Sequence, residues 1–126
     1  MSDDMTDAIN LAAKLAEFEE LWSPRVIGEF NGQALRLAKL QGEFVWHMHE
    51  DEDEAFLALD GVLRIHLRDR VIELQPGELF VVPRGVEHMT SAEQVASCLI
   101  ITAKDSHTGG SDENPRGLDP NELERL

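Results

Sequence analysis

Between Val26 and Ala103 the chain is a succession of short β-rich runs separated by turn residues, and that rhythm restricts it to an all-β architecture. The runs are Val26–Phe30, Ala34–Leu40, Phe44–His49, Ala55–Leu59, Val62–Leu67, Val71–Leu74, Leu79–Val82 and Ala96–Ala103. Asn31-Gly32, Asp60-Gly61 and Gln75-Pro76-Gly77 are the clearest turn signals between them. Short strands at regular spacing with glycine turns predict an antiparallel sandwich or barrel.

Outside that region one helix is expected, over Asp7–Trp22. Leu11, Leu15, Phe18 and Trp22 draw an apolar stripe, Thr6 or Asp7 can cap its start, and Ser23-Pro24 stops it. The stripe needs a surface to cover, either the rest of the domain or a second subunit. After Lys104 the composition shifts to Ser106-His107-Thr108-Gly109-Gly110-Ser111, which reads as flexible. Asp119-Pro120-Asn121-Glu122 then carries a helix-start signature. The expected organisation is an N-terminal helix in residues 1–24, a barrel in 25–104 and a flexible tail with a short helix in 105–126.

At 126 residues one domain is the natural expectation, with a core that needs no disulfide. The single cysteine, Cys98, sits in an apolar run and is expected to be a buried, inert thiol in a reducing compartment. No stretch approaches the ~20 apolar residues of a membrane span, and the N-terminus is acidic where a signal peptide would be basic. A soluble, cytoplasmic protein is the expectation. The formal net charge is -14. Acids gather in the N-terminal helix and in the loop Glu50–Glu54, a surface that repels phosphate backbones and argues against nucleic-acid binding.

The chemistry-bearing residues are His47, His49, Glu54 and His88. Histidines two apart point to one side of a strand. If Asp60-Gly61 forms a two-residue hairpin, Leu59 pairs with Val62, Phe56 with Ile65 and Glu54 with Leu67. One face then carries Glu54, Phe56, Ala58, Leu63, Ile65 and Leu67, apolar except for one carboxylate. A lone carboxylate on such a face is costly to bury unless it meets a cation. His66 falls on the opposite face with Arg64 and Arg68, and His107 lies in the tail, so neither is expected to be a ligand. The same alternation sends Phe44, Trp46 and Met48 outward.

These residues and their spacing resemble the two motifs of the cupins. The first runs Gly42, His47, His49, four residues to Glu54, six more to Gly61. The second runs Gly77, five residues to Pro83, Gly85, then His88 two residues beyond. Four residues rather than five separate Gly42 from His47, and Ala92 stands where the family often has asparagine. The resemblance is nearest to the small single-domain cupins often labelled phosphomannose-isomerase-like. It implies a cupin β-barrel (a double-stranded β-helix, or jelly roll). It also implies that His47, His49, Glu54 and His88 bind one divalent transition metal ion. Manganese, iron, nickel and zinc all suit three imidazoles and a carboxylate.

Such an ion would keep one or two positions open for a small oxygen-rich ligand. The expected function is a metalloenzyme acting on a small oxygenated metabolite, as isomerase or lyase on a sugar or hydroxy acid. The alternatives are an iron-dependent dioxygenase and a non-catalytic metal- or sugar-binding module. No separate general base is visible. The helix stripe and the outward aromatic residues together predict a homodimer.

Overall fold

A computed structural model describes residues 7–111 and 114–126. A short helix α1 (Leu11–Leu15) precedes β1 (Arg25–Phe30), β2 (Gln33–Glu43), β3 (Glu54–Asp60), β4 (Leu63–Leu67), β5 (Val71–Leu74), β6 (Leu79–Val82) and β7 (His88–Ala103). A 3-10 turn (Pro120–Glu122) and a two-residue strand, β8 (Glu124–Arg125), follow. The architecture is the expected antiparallel jelly-roll barrel.

Its spine is the long antiparallel pair β2–β7, in register from Gln33↔Ala103 to Glu43↔Ser91 with a bulge between Leu40 and Gly42. On the other edge of β7 lie β3, against its second half, and β4, against its first. β6 then pairs with β3 and β5 with β4.

This pairing corrects the expected hairpin at Asp60-Gly61. β3 and β4 do not pair with each other; both run antiparallel to β7, so the chain keeps its direction through Gly61. The reversal comes at the next turn, closed by the Leu67 N–H donating to the Arg70 carbonyl at 2.8 Å. Gly61 does have a positive φ, +73°, and a Cβ there would stand 2.7 Å from the Val95 carbonyl oxygen. Dihedral and close approach together demand glycine. Because the jog preserves the inward face, Phe56, Ala58, Leu63 and Ile65 are all buried as the alternation predicts.

The two faces of the β2–β7 pair carry two cores. Inside the barrel, Ala38, Leu40, Phe56, Leu63, Ile65 and Ile100 pack with Cys98, whose thiol is pushed up to about 12 by burial. That is the inert cysteine expected. Outside, Leu37, Leu99 and Ile27 are covered by Phe18, Leu11 and Leu15.

The helix is shorter than Asp7–Trp22. Asn10 caps it, its side chain accepting from the Ala13 N–H, and it ends at Leu15; the proposed cap Thr6 lies outside the described residues. Tertiary contacts win over the helical stripe. Phe18 is 5% exposed and sits beneath the cations of Arg25 and Lys39. Trp22, at φ 59°, leaves the stripe for the barrel mouth. Hydrogen bonds to Lys39 and Gln41 and a stack on Phe44 hold that strained backbone. Within the chain Phe18 is covered, while Leu11, Leu15 and Trp22 stay half-buried.

The tail also departs from expectation. Ser106 is 1% exposed, Gly110 packs against the Met48 backbone, and β8 adds to β1 in parallel. The Asp119-Pro120 signature does start a turn, with Asp119 accepting from Asn121. No helix among the described residues is long and apolar enough to cross a membrane.

Candidate metal centre

The expected strand Phe44–His49 is not a strand. It meets β7 at an isolated bridge, His47↔His88, made by two backbone hydrogen bonds of 3.0 and 2.9 Å, with the Phe44 N–H donating to the Thr90 carbonyl at 3.0 Å and the Gly85 N–H to the His49 carbonyl at 2.8 Å. Strict alternation therefore fails there. Phe44, expected outside, turns inward, with its ring 5.2 Å from Trp22 and edge-on to His47 at 5.4 Å. Trp46 stays outside under the guanidinium of Arg68, 3.8 Å from its centroid.

The bridge sets His47 beside His88, the first residue of β7, with ring centroids 4.4 Å apart. Glu54 begins β3 and points inward with Phe56 and Ala58. His49 follows His47 on the loop. One ligand atom from each of these four residues lies within 4.8 Å of the others, and His49, Glu54 and His88 are buried. The structure brings together the four residues singled out by spacing. His66 is elsewhere, against Ser91 Oγ at 2.7 Å, and His107 lies in the tail beside the Gly109 N–H.

Each imidazole is oriented by a partner on its other nitrogen. His47 Nδ1 donates to the Val45 carbonyl at 2.9 Å and His88 Nδ1 to the Val86 carbonyl at 3.0 Å, both two residues back. A carbonyl can only accept, so the proton sits on Nδ1 and a neutral ring offers a bare Nε2. His49 Nδ1 meets Ser106 Oγ at 3.1 Å. His88 Nε2 and His49 Nε2 stand 3.2 and 3.3 Å from the same oxygen, Glu54 Oε1. His49 Nε2 is buried there without a hydrogen bond, since distance alone does not make one.

The electrostatics follow. Burial on its own would raise the Glu54 carboxyl, but the close approach of the His49 and His88 rings to its Oε1 pulls it down to about 2. Burial and the neighbouring His88 hold His47 down at about 4. Burial would lower His49 as well, yet Glu54 and Glu52 outweigh it and raise it. The cluster is a buried carboxylate seeking a cation among imidazoles that present bare nitrogens. An orphaned Nε2, three rings fixed through Nδ1 and one ionised carboxylate fit a divalent transition metal ion.

Beside the cluster lies a cavity of about 50 Å³, walled by Trp22, Phe44, Leu40, Phe56 and Ile100, with His47 and Glu54 among its polar lining. Arg36 and Thr108 also reach it. Sequence reasoning passed over Arg36 and Ser106. Arg36 carried the signal that singled out Glu54, a lone charge on the inward row Ala34, Arg36, Ala38, Leu40. Ser106 carried none, because its role depends on a tail whose composition hides its docking.

Residues 35–103 match the Cupin domain family. The chain belongs to the cupin family. A curated relative of this cupin, the uncharacterized protein YdbB of Bacillus subtilis, is 32% identical over 112 residues, 88% of this chain and 99% of that one. Among solved structures, a cupin-2 domain containing protein from Shewanella frigidimarina is 46% identical with a TM-score of 0.75, over 77% of this chain and 95% of that one. Protein NMB1881 of Neisseria meningitidis is 32% identical with a TM-score of 0.71, over 77% and 99%.

Proposed function

We propose that this cupin is a metalloenzyme that holds one divalent transition metal ion on His47, His49, Glu54 and His88 and acts on a small oxygenated metabolite in the adjoining cavity. The observation that carries the reading is the orientation of the rings: every Nδ1 is engaged, and the ligand atoms converge within 4.8 Å. When bound, the ion supplies a Lewis acid for developing negative charge on a substrate oxygen. Three neutral imidazoles, one carboxylate and a dication leave a net charge of about +1, which favours an oxygen-rich or anionic ligand.

The rest of the chain shapes what enters. Trp22 and Phe44 stack on each other and form part of the cavity's apolar wall. A water needs roughly 10–15 Å³ by this measure, so the cavity suits a ligand of only a few heavy atoms. That favours isomerase or lyase chemistry on a short hydroxy acid or sugar fragment over work on a large sugar. Glu54 is committed as a ligand in this reading, and Glu87 is turned outward to Arg68, so neither serves as a separate base.

Elemental analysis of the purified protein and two variants tests the site. His88→Ala should lose the ion and His66→Ala should keep it; equal metal content in the two would overturn the assignment. The identity of the ion then separates the classes, since iron together with dioxygen consumption favours a dioxygenase.

A further inference from the structure

The inward face of β2 holds a second charge that the metal cluster does not use. Arg36 is 2% exposed, yet it has no carboxylate partner within salt-bridge distance among the described residues. Its Nη2 donates to the Lys104 carbonyl at 3.2 Å, while its Nε is buried with no hydrogen-bond partner. The side chain lines the same cavity as His47 and Glu54.

A buried guanidinium is expensive, and an unpaired N–H on it more so. The attraction of Glu54 offsets part of that cost, but in the reading above Glu54 is already neutralised by the ion. Both positive centres then face one small apolar cavity, with the carboxylate of Glu54 spent. What completes the charge balance is an anion, and the planar fork of arginine matches a carboxylate better than a point-like group.

We infer that Arg36 is a substrate-binding residue that receives a carboxylate of the ligand, so that this cupin selects small carboxylic acids over uncharged alcohols and sugars of the same size. The apolar wall formed by Phe56, Leu40 and Ile100 takes the remaining carbon of the ligand, and the cavity volume limits that to a few atoms. This inference rests on the proposed metal reading for its chemistry, but the carboxylate preference belongs to Arg36 itself.

The test compares glycolate with glycolamide, matched in size and differing in charge. Binding is read from the fluorescence of Trp22, which lines the cavity, in a Trp46→Phe background, and from the thermal midpoint. Wild type, Arg36→Gln and Arg36→Lys are each measured metal-loaded and after chelation, with metal content determined in parallel. Wild type should prefer glycolate, and Arg36→Gln should lose that preference by about 10–100-fold while retaining its metal. Arg36→Lys, which keeps the charge without the fork, should fall between and guards against a Gln variant that does not fold. Equal glycolate affinity in wild type and the Gln variant, or no glycolate binding by wild type at millimolar concentration in either state, overturns the inference. A wild type that takes up no metal sinks the proposed function instead, and the preference for glycolate is then read on the metal-free protein.

Discussion

The two faces of the β1–β2 pair each bury one arginine, and they treat it in opposite ways. On the outer face, Arg25, paired across to Leu37, donates to Glu20 and Ser23, approaches Glu124 and covers the ring of Phe18. On the inner face, Arg36 has a single backbone acceptor and, among the described residues, no carboxylate within ion-pair distance; its Nε, like that of Arg25, makes no hydrogen bond. The outer guanidinium is bound up in closing the N-terminal segment and the tail over the sheet. The inner one is left ready. A buried guanidinium paired with carboxylates marks where a fold is being held, and one without a carboxylate marks where it waits for an anion.

The largest effect that sharpens this contrast is on the outer core. Phe18→Ala should destabilise the protein by about 3 kcal/mol or more in urea, with metal content of the folded protein unchanged. A loss of metal at full folding would break the separation of the two faces. The arginines come next. Arg25→Ala should cost about 1–3 kcal/mol, through lost packing and charge-assisted hydrogen bonds. Arg36→Met in the metal-loaded protein should be within about 1 kcal/mol of wild type, or more stable, because it removes an under-partnered buried charge. Equal losses at both positions would make Arg36 structural.

A smaller effect probes the join between the tail and the cluster. Ser106→Ala removes the partner of His49 Nδ1 and should weaken metal affinity by about 10–100-fold, read by competition with a chelator. The smallest is a pH effect in the metal-free protein. His47 is held at about 4 when folded, below its ordinary value of 6.5. Between those values the unfolded chain binds more protons, so this group's contribution to stability is full above 6.5 and is lost as pH falls towards 4. His49 is raised and acts in the opposite sense, so the informative quantity is a difference. His47→Gln should flatten the fall in urea midpoint over that range; an unchanged profile would mean that His47 is not the buried neutral ring described.

The strands were legible because one face of each is apolar, and so was the inward Glu54, for the same reason. The pairing of those strands was not. Asp60-Gly61 has the chemistry of a tight reversal, and only the presence of β7 alongside both β3 and β4 turns it into a jog. Alternation failed at Phe44 because a segment that meets β7 at an isolated bridge, without a continuous ladder, has no strand geometry to enforce it. The α1 stripe overshot at Trp22, where stacking on Phe44 and two hydrogen bonds outweigh a few tenths of a kcal/mol per residue of helix propensity. The clustering of His47, His49, Glu54 and His88 was legible because it rests on spacing within two short motifs. Its supports, the carbonyls of Val45 and Val86 and the hydroxyl of Ser106, are contacts that no spacing announces.

The docking of Ser106 on His49 has a consequence for the order in which the protein is made. Synthesis delivers His47, His49 and Glu54 before β7, with His88 at its head, and Ser106 after all of them. Until β7 lies between β2 and β3, the early histidines have neither their bridge nor their fixed rings. On the proposed metal reading, an ion is held firmly only once β7 and Ser106 have docked, so loading follows the closing of the barrel rather than the appearance of the first three ligands.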